Sequence, residues 1–158
     1  QFDKILKEVV NQQPTKIKET FDKNDQKEFL KGAKIAYETI ITDFSDNDNK
    51  ITNSRSLLNK EIYNQFNEAL KERNARGHHA EITFIGINSA EIKEHKKVDK
   101  MLNVTVDFIA EVITCIKDKD KKIVSGDPEK IKKIYDTWIF SRDITSMNPN
   151  WQLVNILT

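Results

Sequence analysis

One cysteine, four glycines and three prolines among 158 residues exclude several kinds of protein at once. With Cys115 alone, neither an internal disulfide nor a multi-cysteine zinc knuckle can be built, and its place in an apolar, strand-like run reads as a packed thiol. The glycines are isolated from one another, so no Gly-rich phosphate loop is present. No run of 18 or more apolar residues exists to span a bilayer as a helix. Charge of one sign is missing too: 26 Lys and Arg face 25 Asp and Glu, which removes the broad positive field that nucleic-acid binding needs, and no nucleic-acid partner is expected. Of the three histidines, His78 and His79 are neighbours that cannot easily converge on one ion, and His95 has no ligand at a suitable spacing, so no metal and no other cofactor is expected. The chain starts at Gln1 rather than a methionine, which leaves an upstream targeting or anchoring segment as an open expectation.

What is present is a change of period. Phe2, Ile5, Leu6, Val9 and Val10 recur at helical spacing opposite Asp3, Lys4, Lys7 and Glu8, and Pro14 ends this short amphipathic helix. A weaker helical piece carries Ile17 and Phe21 beside Lys16 and Lys18, and Asp22 to Asp25 reads as a polar joint and start signal. From Gln26 to about Ser45 a wide stripe of Phe29, Leu30, Ala33, Ala36, Tyr37, Ile40 and Phe44 predicts the main core helix. After a polar loop from Ser45 to Asn53, Asn59 opens a further helix with Ile62, Phe66, Ala69 and Leu70 on one face, closed by Gly77.

Beyond Gly77 the period falls to two. Ile82 to Ile92 predicts a strand bent at Gly86 to Ser89, and Met101 to Lys117 alternates over its whole length. Lys117 to Lys122 is a hairpin connection, and Ile134 to Asp143 and Trp151 to Leu157 are the last strands, joined across Asn148, Pro149 and Asn150. The predicted fold is α+β: leading amphipathic helices over residues 1–25, then a domain over 26–158 whose helices pack on a curved antiparallel sheet and enclose an apolar pocket. Phe29, Tyr37, Phe66, Phe108, Trp138 and Phe140 are the expected pocket residues.

No motif pairs a nucleophile with a base. An alternative keeps chemistry in the pocket, with Asp107 or Glu111, which share a strand face, as a base beside Tyr37 or Tyr135. Asp136, Trp138, Phe140 and Arg142 share strand parity; they form a recognition patch, or the rings fill the core and the charges pair at the strand ends. The stripe of the opening helix must be covered by its own domain, by another protein or by a membrane interface, with Lys4, Lys7, Lys16 and Lys18 toward anionic lipid.

Three stretches carry a family resemblance: Phe29-Leu30-Lys31-Gly32-Ala33 through Phe44; Ala69 to Gly77 followed by Glu81-Ile82-Thr83-Phe84-Ile85-Gly86-Ile87; and Asp136 to Asp143 with Asn148-Pro149-Asn150-Trp151-Gln152-Leu153 behind Gly126-Asp127-Pro128-Glu129. Together they resemble the C-terminal domain of the Tim forty-four family, in wording closest to alphaproteobacterial and rickettsial members. That resemblance implies a nuclear-transport-factor-two-like cone with an apolar pocket and no enzymatic activity. It implies a scaffold peripheral to or anchored in an inner membrane, bacterial or on the mitochondrial matrix side, in a protein translocase. Its implied partners are anionic phospholipid such as cardiolipin, met through the leading helices, and an inner-membrane protein. Chaperone tethering is not implied, because the namesake carries it upstream of this domain.

Overall fold

The first helix among the described residues starts where its cap is written. In a computed structural model, which describes residues 21–45 and 51–158, helix α1 spans Lys23–Asp43. The Asp22 carboxylate accepts from the Asp25 amide at 2.8 Å, and the Asp25 carboxylate accepts in return from the Asp22 amide at 3.3 Å. This reciprocal box satisfies two of the N–H groups that a helix start leaves without intrahelical partners. Phe29, Ala33, Ala36, Tyr37 and Ile40 form its buried face, as the spacing predicted. At its C-terminal end the buried Asp43 carboxylate accepts from the Asn53 and Ser54 amides and from the Ser54 hydroxyl, clasping the segment that follows the loop. A single 3₁₀ turn, Arg55–Leu57, then leads into α2, Lys60–Ala75.

Helix α2 is framed by local chemistry at both ends. The Asn59 side chain accepts from the Ile62 amide at 2.9 Å. At the other end Gly77 adopts φ +69°, its amide reaching the Asn74 carbonyl while the His78 amide reaches that of Arg73. This paired return to the last turn is the Schellman arrangement, which favours glycine because the left-handed conformation strains any side chain with a Cβ. Ile62 and Leu70 are buried, but Ala69, expected on the same face, is exposed, and Tyr63 packs against the core instead.

The sheet is an antiparallel meander of β1 (His79–Val98), β2 (Met101–Lys117), β3 (Ile123–Gly126), β4 (Lys132–Asp143) and β5 (Gln152–Ile156). Its spatial order is β1-β2-β4-β5, with β3 beside the far end of β2 on the flank that β4 occupies elsewhere. Both ends of β2 fall where the alternation placed them. The predicted bend near Gly86 consists of register shifts at Phe84/Gly86 and Ile87/Ser89, and a third shift follows at Ile92/Glu94. Such extra residues add twist to a strand, which suits an edge strand of 20 residues. The fold is therefore α+β: among the described residues, two α-helices pack on an open five-stranded sheet consistent with the cone.

The core lies between α1 and the even-numbered face of β2. Val104, Val106, Phe108 and Ala110 are buried there, and their register partners Phe140 and Trp138 on β4 continue the layer. The Tyr37 ring stacks on Phe108 at 4.3 Å and tilts against Trp138 at 4.6 Å. Burial of each such large side chain stabilises the fold by about 1.5–3 kcal/mol.

Candidate functional site

At the N-terminal half of α1 the helix and sheet part, leaving an open cavity of about 430 Å³. Four aromatic rings, those of Phe21, Phe29, Phe140 and Trp151, stand in its wall. Phe29 stands 4.7 Å from Trp151 and 5.9 Å from Phe140, and Phe21 closes on Phe29, His95 and Trp151 at 5.8, 5.1 and 6.1 Å. Leu102 and Ile144 add aliphatic surface, and Gly32 lines the cavity from α1 with nothing within 4 Å of where a Cβ would stand. The polar members are Asp25 and Glu28 on α1, Asn150, and Arg142 on β4. Glu28 pairs with Lys31 across an exposed 3.2 Å contact. The Arg142 Nε is buried and has no hydrogen-bond partner among the described residues.

Of the expected pocket residues, Phe29 and Phe140 line this cavity. Tyr37, Phe108 and Trp138 do not, because their rings fill one another's space in the packed layer deeper under α1. Phe66 lies elsewhere, edge-on to Phe44 at 4.9 Å. Phe21, Gly32, Arg142 and Trp151 escaped the sequence reading as cavity residues. They stand in four separate stretches of chain, and only the spare bulk of Trp151 after the Asn-Pro turn hinted at one of them. Phe2, Lys4, Ile5, Leu6, Lys7, Val9, Val10, Lys16 and Lys18 lie outside the described residues.

The acids proposed for the alternative chemistry are not in the cavity. Asp107 and Glu111 project from the odd-numbered face of β2, opposite Phe108 and Ala110. Asp107 accepts from the Thr137 hydroxyl at 2.6 Å and Glu111 from the Asn88 amide at 3.0 Å. The acid that meets the aromatic layer is instead the half-buried Asp136, which accepts from the Tyr37 hydroxyl at 2.5 Å. Burial pushes the Asp136 carboxyl above the usual carboxylate range, against the opposing pull of that hydrogen bond. Burial and then the Asp136 carboxylate hold the Tyr37 phenol protonated well beyond its ordinary value. Tyr135, the other phenol considered, is exposed. Trp138 and Phe140 are core, so the plainer account of the Asp136 to Arg142 face holds for its rings.

Cys115 is buried, its Sγ 3.5 Å from a Glu81 carboxylate oxygen. Burial first, and that carboxylate second, push the thiol up, the reverse of what a nucleophilic cysteine needs. Among the described residues no cluster of three or more His, Cys, Asp or Glu side chains could hold a metal, and no helix is long and apolar enough to cross a membrane.

Comparison with known proteins gives this geometry its context. The chain is 27% identical over 105 residues to the probable mitochondrial import inner membrane translocase subunit tin-44 of Caenorhabditis elegans, covering 65% of this chain and 25% of that protein. It is 25% identical over 96 residues to the mitochondrial import inner membrane translocase subunit TIM44 of Mus musculus, covering 60% of this chain and 21% of that protein. The chain thus spans a quarter or less of the length of these relatives. Among solved structures, the intermembrane space region of the chloroplast protein ARC6 aligns with a TM-score of 0.46 at 12% identity, covering 81% of this chain and 95% of that one. The family model for the Tim44-like domain matches residues 10–158, and the chain belongs to that family.

Proposed function

We propose that this chain is a non-enzymatic scaffold domain, peripheral to an inner membrane, in a protein translocation or assembly system. The observation that carries the reading is the family match over residues 10–158, joined to relatives that are inner-membrane import translocase subunits. Docking would run through the leading segment, with Phe2, Ile5, Leu6, Val9 and Val10 in the interface and Lys4, Lys7, Lys16 and Lys18 toward anionic headgroups such as cardiolipin. The folded body then presents its surface to an inner-membrane protein partner.

Each lysine near an anionic surface contributes about 1 kcal/mol, so the four together set a strong preference for charged lipid. Sedimentation with vesicles checks this. Cardiolipin-containing vesicles should bind the full chain at least about tenfold more tightly than neutral ones, and the preference should collapse on replacing all four lysines by Gln, since about 1.4 kcal/mol is tenfold. Equal affinity for the two kinds of vesicle would end the lipid part of the proposal. A second reading, carriage of a small apolar ligand, is favoured by the cavity, whose volume of about 430 Å³ is within the range of ligand sites. It makes no use of Asp107 or Glu111.

A further inference from the structure

We propose that the end of the sheet built by the β2–β3 and β3–β4 turns is a second membrane-docking surface, which sets its lysines on anionic lipid headgroups and its exposed aliphatic side chains between them. Residues 117–133 hold seven lysines and four acidic residues, whereas the whole chain carries a net charge of only +1. Every residue from 119 to 133 is exposed. Lys117 pairs with Glu81 at 3.2 Å, but Lys119, Lys121, Lys122, Lys130, Lys132 and Lys133 have no ion-pair partner among the described residues. Two of the four acids face their own turns instead. The Asp118 carboxylate accepts from the Asp120 and Lys122 amides at 2.8 and 3.0 Å, and the Asp127 carboxylate accepts from the Glu129 amide at 2.9 Å. Such bonds tie the turns down and leave the lysines as the larger share of the outward charge.

Apolar surface gathers at the same place. Among the described residues, four of the nine large hydrophobic side chains that stay exposed are Ile123, Val124, Ile131 and Tyr135, the last two 59% and 64% accessible. Lys133 and Tyr135 stand opposite Glu111 and Ile109 of β2, and Ile123 stands opposite Lys117, so these side chains share the sheet face turned away from α1. Exposed apolar side chains grouped in this way mark a surface that meets a partner. The kind of cation decides which. All seven are lysines, and the four arginines of the chain, Arg55, Arg73, Arg76 and Arg142, lie elsewhere. Protein interfaces are enriched in arginine, whose planar fork suits a partner of fixed geometry, and depleted in lysine. A bilayer surface asks for no fixed geometry. Ammonium groups on flexible stems follow mobile headgroups while aliphatic chains and a tyrosine ring enter the interface. This surface deepens the membrane reading above but uses none of its residues, so the two can fail separately. Where both hold, two linked contacts on one molecule strengthen each other, and removing either weakens the whole.

The test is sedimentation of the full chain with vesicles of phosphatidylglycerol mixed into phosphatidylcholine, against phosphatidylcholine alone. Replacing Lys119, Lys121, Lys122 and Lys130 together by Gln should lower affinity for the charged vesicles at least about tenfold. The thermal midpoint should not move, because these side chains hold no ion-pair partner among the described residues. In a second variant, Ile131→Cys carries an environment-sensitive nitrobenzoxadiazole dye while Cys115 stays buried. Its emission should shift to the blue on the charged vesicles and not on the neutral ones. Replacement of Lys4, Lys7, Lys16 and Lys18 by Gln is the comparison. If that variant loses binding while the Lys119 to Lys130 variant binds as wild type does, the leading segment alone docks, which overturns the second surface and leaves the earlier reading standing. Loss confined to the Lys119 to Lys130 variant supports the second surface and sinks the leading segment. An unshifted dye overturns the second surface. So does a variant that binds vesicles normally but no longer binds polyglutamate, since the patch then serves an acidic polypeptide.

Discussion

At the scale of single residues, the sharpest feature is the Tyr37–Asp136 contact inside the aromatic layer. Tyr37→Phe keeps the ring but leaves the partly buried Asp136 without its donor, and should cost about 1–3 kcal/mol at pH 7, read as a lower urea midpoint. The pH dependence has a definite sign. Because burial raises the folded-state value of Asp136 above the ordinary 3.8, the folded protein keeps this proton longer than the unfolded chain does. The stabilisation is fully present below the ordinary value and is lost as pH rises through the higher folded one. Asp136→Asn retains an acceptor for Tyr37 and cannot titrate. Unfolding at pH 3.5, 5 and 7 should therefore show wild type losing stability relative to Asp136→Asn as pH rises; a constant difference between the two would contradict this account.

Among the elements, the two positive-φ glycines separate a conformational requirement from a steric one. At Gly77 (φ +69°) an added Cβ would lie 3.6 Å from Lys119, ordinary contact, so Gly77→Ala should cost only the backbone strain of about 1 kcal/mol. At Gly126 (φ +79°) the same atom would sit 2.2 Å from the Thr114 carbonyl oxygen, so β3 must move off β2. Gly126→Ala should therefore be the more damaging, by about 1–3 kcal/mol beyond the strain, with faster hydrogen exchange at the Asp127 amide that bonds Thr114. Strand β3 is also the element that the periodicity did not disclose. Four exposed residues, Ile123 to Gly126, carry no alternation between core and solvent, so no period marks them. Caps behave oppositely: Asp22, Asn59 and Gly77 each act on atoms within five residues, and each was legible.

For the whole molecule, the expectation is salt dependence. If the leading lysines guide docking on anionic lipid, raising ionic strength from 50 to 500 mM should weaken vesicle binding progressively, because the Debye length shrinks from above 10 Å to a few ångström. Binding that is indifferent to salt would point to apolar insertion alone. The sequence by itself determined the α+β class, the caps at Asp22, Asn59 and Gly77 and the alternation of β2, because each of these rests on contacts within a few residues or on a repeating period. The family was legible as well, since Asp136 to Asp143 and the Asn148-Pro149-Asn150-Trp151 turn are continuous stretches. Only the tertiary structure decided which aromatics fill and which line. Phe29 and Tyr37 stand two turns apart on the same helix face, yet one borders open space and the other is stacked shut. The difference is what stands opposite each ring: Phe108 and Trp138 close on Tyr37 at 4.3 and 4.6 Å, whereas Phe29 meets Trp151 edge-on in the cavity wall. No local pattern in α1 records it.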